Sequence, residues 1–211
     1  MAILYRAEVR PSKLELLNRW VPARPWYHGP DAPDFQRVTS FRFDDPAGEV
    51  GVETLIVRAG DGPLLQVPLT YRDAPLERAG EWLLGTAEHS VLGTRWVYDG
   101  CGDPVYAATL AAAILTGAGQ ADELVDVDGE LQRRAPAMAV RGSGSASTAT
   151  AGELIRVDDD TDPTLILTES VELAVIRMLT QEYRADDERL NLTATWDDHP
   201  EPVVLATAAT A

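Results

Sequence analysis

Apolar and polar residues alternate over much of the chain, which is the pattern of strands buried on one face. The alternation is clearest in RVTSFRFDD (37–45), VGVETLIVRAG (50–60) and PLLQVPLTYR (63–72), which are rich in β-branched and aromatic residues. The turn-forming segments DPAGE and GDG separate them. Because connections this short cannot carry a parallel crossover, we predict an antiparallel meander of three strands.

Two segments have the spacing and end signals of helices instead. PSKLELLNRWV (11–21) has apolar residues at helical spacing after a Pro-Ser start signal. DPVYAATLAAAILTG (103–117) opens on Asp-Pro, is rich in alanine and leucine, and closes at a glycine. We therefore predict a short helix after an N-terminal strand in AILYRAEVR (2–10), and a longer helix near the middle of the chain.

Further strands are predicted after the meander and beyond the second helix. TRWVYDG (94–100) is one, and DELVDVDGELQRR (122–134) is typical of a hairpin turning at Asp128-Gly129. The C-terminal strands are ELIRV (153–157), TLILT (164–168), VELAVIRML (171–179), RLNLTATW (189–196) and PVVLAT (202–207). The fold class is α+β, with a mostly antiparallel sheet, about two packed helices and up to ten short strands.

The small-residue run RGSGSASTATAG (141–152) divides this pattern. Its composition is typical of a flexible connection. We predict an α+β domain over residues 1–141, a flexible linker or loop over 142–152, and a β-rich extension over 153–211. The extension either continues the same sheet or forms a small second unit.

Composition limits the classes of function. The chain has 211 residues, 45% hydrophobic and 25% charged, which are values of a globular protein with a real core. Its net charge of −16 repels phosphate backbones and anionic lipids, so nucleic-acid and membrane-surface roles are not expected. One cysteine, no signal-peptide pattern and no membrane-length apolar run favour a cytoplasmic protein.

The stretch EHSVLGTRWVYDGCGDPVY (88–106) is the densest in reactive side chains. Nucleophilic catalysis by Cys101 would need a base such as His89 within hydrogen-bond reach. The two are twelve residues apart, and the alternative is a small thiol in a Gly-rich turn beside a histidine that fills a loop. Both hypotheses stay open, and Cys101 and His89 are the only catalytic candidates.

Other chemistry has little support in the residue spacing. No HxH, HxxxH or CxxC pattern occurs, so no metal site is predicted. GSGSAS lacks the lysine of a phosphate-binding loop, and no kinase or hydrolase signature is present, so we predict no cofactor.

Aromatic residues provide candidates for ligand binding. Trp26 and Tyr27 lie in RWVPARPWYHG, and Trp96 and Tyr98 lie on the predicted strand after His89. Indole and phenol faces can stack on sugars or guanidinium groups, although the same residues can equally fill a core. We take these four residues, together with His89, as candidates for a small-ligand or carbohydrate site.

Three phrases resemble the N-terminal cap domain of actinobacterial maltokinases and related glucosamine-kinase-like enzymes. They are RPWY, FRFDDPAGEVGVETLIVRAGDGPLLQVPLTYRDAPL and GTAEHSVLGTRWVYDGCGDPVYAATLAAAI, which follow one another in the same order within residues 1–117. The resemblance implies an α+β unit with a curved antiparallel sheet. It also implies a unit that sits on the kinase lobes, which carry the nucleotide, magnesium and catalytic aspartate.

No kinase motif occurs in this sequence, so the family's catalytic residues cannot be transferred to it. The resemblance therefore implies a free-standing cap-like protein, a non-catalytic interaction or regulatory module. Its partner would be a separately encoded kinase or another enzyme of sugar or α-glucan metabolism. A small-ligand or carbohydrate-binding protein is the alternative, and an enzyme using Cys101 and His89 is a third.

Overall fold

A computed structural model describes residues 2–4, 8–127, 130–146, 148, 150–179 and 189–210. Two α-helices occur in it, α1 (Lys13–Trp20) and α2 (Pro104–Thr116). The strands of the first two thirds are β1 (Ala2–Leu4), β2 (Val9–Arg10), β3 (Phe35–Phe43), β4 (Gly51–Ala59), β5 (Leu64–Arg72), β6 (Leu83–His89), β7 (Gly93–Asp99), β8 (Glu123–Val127) and β9 (Glu130–Arg134). The remaining strands are β10 (Ala139–Gly142), β11 (Leu154–Asp158), β12 (Thr164–Thr168), β13 (Val171–Val175), β14 (Met178–Leu179), β15 (Leu190–Trp196) and β16 (His199–Thr210).

The central element is a sheet of seven strands, curled into a half-barrel. Its order is β2-β6-β7-β5-β4-β3, all neighbours are antiparallel, and β14 adds a short antiparallel pair to the start of β5. The predicted meander is therefore confirmed as β3, β4 and β5. The predicted strand at 94–100 is confirmed as β7, while its hairpin partner β6 was not predicted from the sequence.

Other parts of the chain cover both faces of this sheet, which explains why the residues of β4 are almost all buried and mostly apolar. Leu55, Val57 and Val67 belong to one hydrophobic cluster with the buried face of α1. Val52 and Ile56, on the opposite face, belong to a second cluster with α2. We call the two sides the α1 face and the α2 face of the half-barrel.

Local signals explain the ends of the two helices. The Ser12 side chain accepts a hydrogen bond from the Glu15 N–H at 3.3 Å, and the Glu15 carboxylate accepts one from the Ser12 N–H at 2.7 Å, which forms a capping box. Asp103 caps α2 by accepting from the Val105 N–H, and Gly117 ends it with φ +70°. Both predicted helices are confirmed.

A second sheet of six antiparallel strands is built mainly from the C-terminal part. Its order is β10-β15-β16-β13-β12-β11. Its buried residues, among them Ile166, Leu173 and Leu205, share one hydrophobic cluster with α2 and with the half-barrel. The strands predicted beyond residue 152 are confirmed except the one over 171–179, which is two strands, β13 in this sheet and β14 in the half-barrel. β10 was not predicted.

A third, small sheet has the order β1-β8-β9. The predicted hairpin is confirmed by the antiparallel pairing of β8 with β9, although its turn residues 128–129 lie outside the described residues. β1 pairs with β8 in parallel. The predicted fold class, α+β with a mostly antiparallel curved sheet and two helices, is confirmed, but the limit of ten strands is too low.

Two buried side chains connect the half-barrel to the C-terminal strands. The Gln66 amide donates to the carbonyls of Ile176 and Leu205 at 3.0 and 2.9 Å. The guanidinium of Arg177 is fully buried, and it donates to Asp99 at 2.7 Å and to the Thr164 hydroxyl at 2.8 Å. Polar groups of the C-terminal part therefore complete hydrogen bonds inside the half-barrel.

The predicted connection at 142–152 begins with an ordered glycine-rich segment. The N–H groups of Gly144 and Ala146 donate to the carbonyls of Ile114 and Leu115, each at 2.9 Å, where α2 leaves its last carbonyls unpaired. A Cβ on Gly144 would lie 2.2 Å from the Leu115 oxygen, so only glycine allows this approach. The division of the chain into domains at this segment stays a prediction.

In the described part of the chain, no helix is long and apolar enough to cross a membrane.

Candidate functional site

A cavity of about 980 Å³ lies in the α1 face of the half-barrel. It is bordered by α1, by strands of the half-barrel from β2 and β6 on one side to β3 on the other, and by residues of β8 and β9. Its size is at the upper end of the range for small-molecule sites. Ten of its side chains carry charge, and these are Lys13, Arg37, Arg42, Asp44, Asp45, Glu49, Glu53, Arg95, Glu123 and Arg134.

Glu53 lies in the wall of this cavity and is only 3% exposed. Its carboxylate forms ion pairs with the Lys13 ammonium and with the Arg42 guanidinium, the latter at 3.0 Å. The Tyr71 hydroxyl donates to the same carboxylate at 2.7 Å, and the Lys13 nitrogen lies 5.2 Å from the centre of the Tyr71 ring. One carboxylate thus pairs with two cations and accepts a hydrogen bond from a phenol.

The local sequence explains how Glu53 comes to be buried. It occupies an inward position of β4, directly opposite Arg42 of β3, and Lys13 is the first residue of α1. Burial alone would raise the pKa of Glu53, but the charges of Arg42 and Lys13 and the hydrogen bonds from Lys13 and Tyr71 lower it from its ordinary 4.5 to about 2. The carboxylate is therefore ionised at neutral pH.

Lys13 and Tyr71 are the two partners of Glu53 that can lose a proton, and their pKa values are shifted in opposite directions. Burial lowers the pKa of Lys13, Glu53 raises it, and the charges of Arg42 and Arg37 lower it again, with a net lowering. Burial and the Glu53 charge raise the pKa of Tyr71 well above its ordinary value, so the phenol stays protonated. Burial is thus the main cause of the lowered pKa of Lys13, and the Glu53 carboxylate opposes it.

His89 ends β6 at the border of the same cavity. Its Nδ1 accepts from the N–H groups of Val91 and Leu92 at 3.2 and 3.1 Å, which orients the ring at the hairpin turn. Burial lowers the pKa of His89, and the positive charges of Arg95 and Lys13 lower it further. This candidate residue from the sequence is therefore beside the cavity.

Cys101 lies far from that cavity, in a 3-10 turn (Gly100–Gly102) between β7 and α2. Its side chain is fully buried, and its N–H donates to Asp99 at 3.0 Å. Burial raises the pKa of Cys101 well above its ordinary value, so the thiol stays protonated and lacks the nucleophilic form. The structure gives it the environment of a structural cysteine.

The structure does not bring Cys101 and His89 together. His89 pairs with Gly93 at the first residue of β7, whereas Cys101 follows the last residue of that strand. At about 3.3 Å per residue, the strand separates them by roughly 20 Å. A dyad of these two side chains cannot form in this arrangement.

The Trp26 and Tyr27 pair lies at another part of the α1 face. Trp26 is fully buried, its ring lies 6.4 Å from that of Tyr27, and the Arg177 guanidinium lies over it at 4.8 Å. Tyr27 is half-buried, packs edge-on against Phe35, and borders a separate cavity of about 80 Å³. Trp26 therefore has the place of a core residue, and Tyr27 lies beside a space too small for a sugar.

Trp96 and Tyr98 belong to a small cluster around Trp82. Tyr98 is buried, and its hydroxyl accepts from the Leu76 N–H at 2.9 Å. Trp96 is half-buried against the same cluster. Of the five ligand-binding candidates, only His89 borders the large cavity, and the five do not form one site.

The charged residues of the cavity were not among the candidates from sequence. One signal was available, since Glu53 interrupts the apolar strand VGVETLIV and Lys13 is the chain's single lysine. What no local pattern shows is that a residue of α1 reaches across to β4. In the described ranges, no group of three or more His, Cys, Asp or Glu side chains is placed to hold a metal ion.

Comparison with known proteins identifies the region that forms most of the half-barrel. Residues 20–103 match the family model of the maltokinase N-terminal cap domain, which is less than half of the chain. The resemblance inferred from the sequence is confirmed over this range. No curated protein shows significant similarity to the chain.

Proposed function

We propose, from the match of residues 20–103 to the maltokinase N-terminal cap domain, that the protein is a non-catalytic cap-like module of sugar or α-glucan metabolism. It acts in the cytoplasm with a separately encoded kinase or glucan enzyme. The family match carries this proposal. The acidic surface, with a net charge of −16 over the chain, suits a partner with a basic face.

A pull-down from native lysate tests the proposal, with mass spectrometry of the captured proteins. We expect a kinase or glucan-metabolism enzyme to be enriched. An unrelated bait of similar size and net charge controls for capture by charge alone, and capture should weaken at high salt. Recovery of no such enzyme, together with a strictly monomeric protein in solution, would contradict the proposal.

The cavity favours a second candidate, a small-ligand or carbohydrate-binding protein. About 980 Å³ in the α1 face is enough for a ligand of sugar size or larger. The wall offers a phenol, a carboxylate and several cations, groups that can fix the orientation of a hydroxylated molecule. The fold leaves this space open beside α1, whereas the α2 face is filled by core side chains.

Thermal-shift measurements with sugars and sugar phosphates test the second candidate. A ligand at one hundred times its Kd stabilises the fold by about 2.7 kcal/mol, which is roughly 5–10 °C in Tm for a chain of this length. Tyr71→Phe, inside the cavity, should reduce the shift. Tyr27→Phe removes the same hydroxyl outside it and should not. A panel without any shift excludes this candidate.

A further inference from the structure

We propose that β11, the last strand of the six-stranded sheet, binds a short, extended, basic segment of a partner protein as an additional strand. This inference rests on the proposed function as an interaction module, and it specifies the docking surface and the chemistry of the partner segment. It involves neither the cavity nor a small ligand.

The outer edge of β11 is open. The strand pairs on one side only, with β12, and in the described part of the chain its backbone groups form no backbone hydrogen bond outside that ladder. The opposite edge strand, β10, is covered instead. Its Gly142 N–H donates to the Ala118 carbonyl at 2.9 Å. Its Val140 N–H donates to the Gln120 side chain at 2.8 Å. An open edge offers its main-chain donors and acceptors to a further strand.

The charge along this edge is strongly negative. Residues 153–169 contain six acidic side chains and a single basic one, Arg156. Within the described ranges none of the six forms a salt bridge, and Glu153, Asp158 and Asp160 are exposed. A second copy of this chain would bring the same charges against the edge, whereas a basic segment would be attracted to it. The occupant that fits the edge is therefore a basic segment of another protein.

The pleat of β11 favours a partner sequence that alternates. Val157 lies opposite the buried Ile166 of β12, so it faces the core, where it is half-buried. Asp158 lies opposite Leu165, which is 38% exposed, so both face outward. The side chains of an added strand alternate between the same two faces. Apolar residues of the segment would continue the core face beside Val157, and its basic residues would contact Asp158 and the neighbouring carboxylates.

The edge is short, which limits the strength of the contact. β11 has five residues, and its register with β12 shifts between Leu154 and Arg156. Ile155, between them, is 59% exposed and adds an apolar side chain to the docking surface. An added strand can form only a few main-chain hydrogen bonds here, so we expect a weak, transient and salt-sensitive interaction.

Fluorescence anisotropy of labelled, end-capped octapeptides with the full chain tests the proposal. The first peptide alternates lysine and valine, the second alternates glutamate and valine, and the third is the lysine peptide with every backbone nitrogen methylated. The protein variants are Asp158→Asn/Asp160→Asn and the control Asp197→Asn/Asp198→Asn, which removes two exposed aspartates from the turn between β15 and β16 of the same sheet. Circular dichroism checks that both variants fold.

We expect only the unmethylated lysine peptide to bind, with a Kd that rises with salt. Asp158→Asn/Asp160→Asn should weaken its binding by about threefold to twentyfold, because two exposed charge pairs are lost, while the control variant changes Kd by less than about twofold. Hydrogen exchange followed by mass spectrometry should show slower exchange of the β11 amides in the complex.

Each of the other outcomes overturns the proposal. Equal affinity of the methylated peptide shows attraction by charge without strand pairing, and equal affinity of the glutamate peptide shows that charge does not select the partner. Equal loss in the control variant shows attraction by the net charge of the chain. Self-association of the chain alone in analytical ultracentrifugation, with β11 amides protected, shows that a second copy occupies the edge.

Failure of this inference is distinguishable from failure of the proposed function. If no peptide binds, the inference fails, whereas the proposed function is decided by the pull-down from lysate. A kinase or glucan enzyme that is captured equally by the parent and by Asp158→Asn/Asp160→Asn supports the proposed function and contradicts docking at β11.

Discussion

The buried pair of Arg177 with Asp99 is the contact whose loss we expect to cost the most stability. Both side chains are completely buried. Burial disfavours the Arg177 charge, but Asp99 and neighbouring groups outweigh this effect and raise its pKa, so the guanidinium stays charged. Arg177→Met removes the cation, its bond to Thr164 and its contact with the Trp26 ring. Asp99 then keeps the Cys101 N–H as its hydrogen-bond donor.

The expected magnitude follows from the burial. Removing one partner of a buried pair leaves the other charge uncompensated, which costs about 3–5 kcal/mol. For a chain of this length, that corresponds to a loss of roughly 6–20 °C in Tm. The control is Arg189→Met, which breaks the half-exposed pair with Glu172 and should cost less than about 1 kcal/mol.

Urea unfolding followed by circular dichroism gives the free energies for both variants. The double variant Arg177→Met/Asp99→Asn removes both charges and should recover part of the loss, because no charge then remains buried alone. The reasoning is refuted if Arg177→Met costs no more than Arg189→Met. It is also refuted if the double variant loses as much free energy of unfolding as Arg177→Met and the single variant Asp99→Asn lose together, since the two charges would then act independently.

Three further predictions concern other buried groups. Because the folded pKa of Glu53 is lowered, its ionised form contributes roughly 3 kcal/mol to stability above pH 4.5, and this contribution disappears as the pH falls toward 2. Glu53→Gln should therefore have a lower free energy of urea unfolding than the parent at pH 7 and a similar one at low pH. A difference that is constant with pH would contradict this. Gly144→Ala should lower the free energy of unfolding by about 1–3 kcal/mol. Gly80→Ala places its new methyl in open space and should change that free energy by less than roughly 0.5 kcal/mol. Equal melting temperatures of the two variants would show that the segment around Gly144 is loosely held. Cys101 should react with a disulfide reagent only after unfolding. Rapid labelling of the folded protein would contradict this and would make Cys101 a candidate nucleophile again.

The elements that could be predicted from sequence are those whose signal is local. The meander has alternating strands and short turns, and both helices have a capping residue at the start, Ser12 or Asp103. β6 was missed because its residues Leu83–His89 have few β-branched side chains and a glycine in the middle. The glycines of 142–146 were assigned to a flexible connection, since composition cannot show that a backbone approaches a helix end.

The candidate site could be predicted much less well, for a physical reason. Reactive and aromatic residues can be identified as candidates from a sequence, but their role depends on where the fold places them. Cys101 and Tyr98 are buried, and His89 is the single candidate beside the large cavity. The cavity instead depends on Lys13 and Glu53, which are 40 residues apart and meet only when α1 covers the half-barrel.

The same tertiary contacts bear on what the matched region represents. Residues 20–103 contain β3 to β7, but β5 is completed by β14, and the Gln66 amide is satisfied by carbonyls of residues 176 and 205. Without those partners, a buried amide and the Asp99 carboxylate would lose hydrogen bonds, at a cost of several kcal/mol. That is a large part of the stability of a typical domain. The half-barrel in this chain therefore makes stabilising contacts with residues far beyond the matched range.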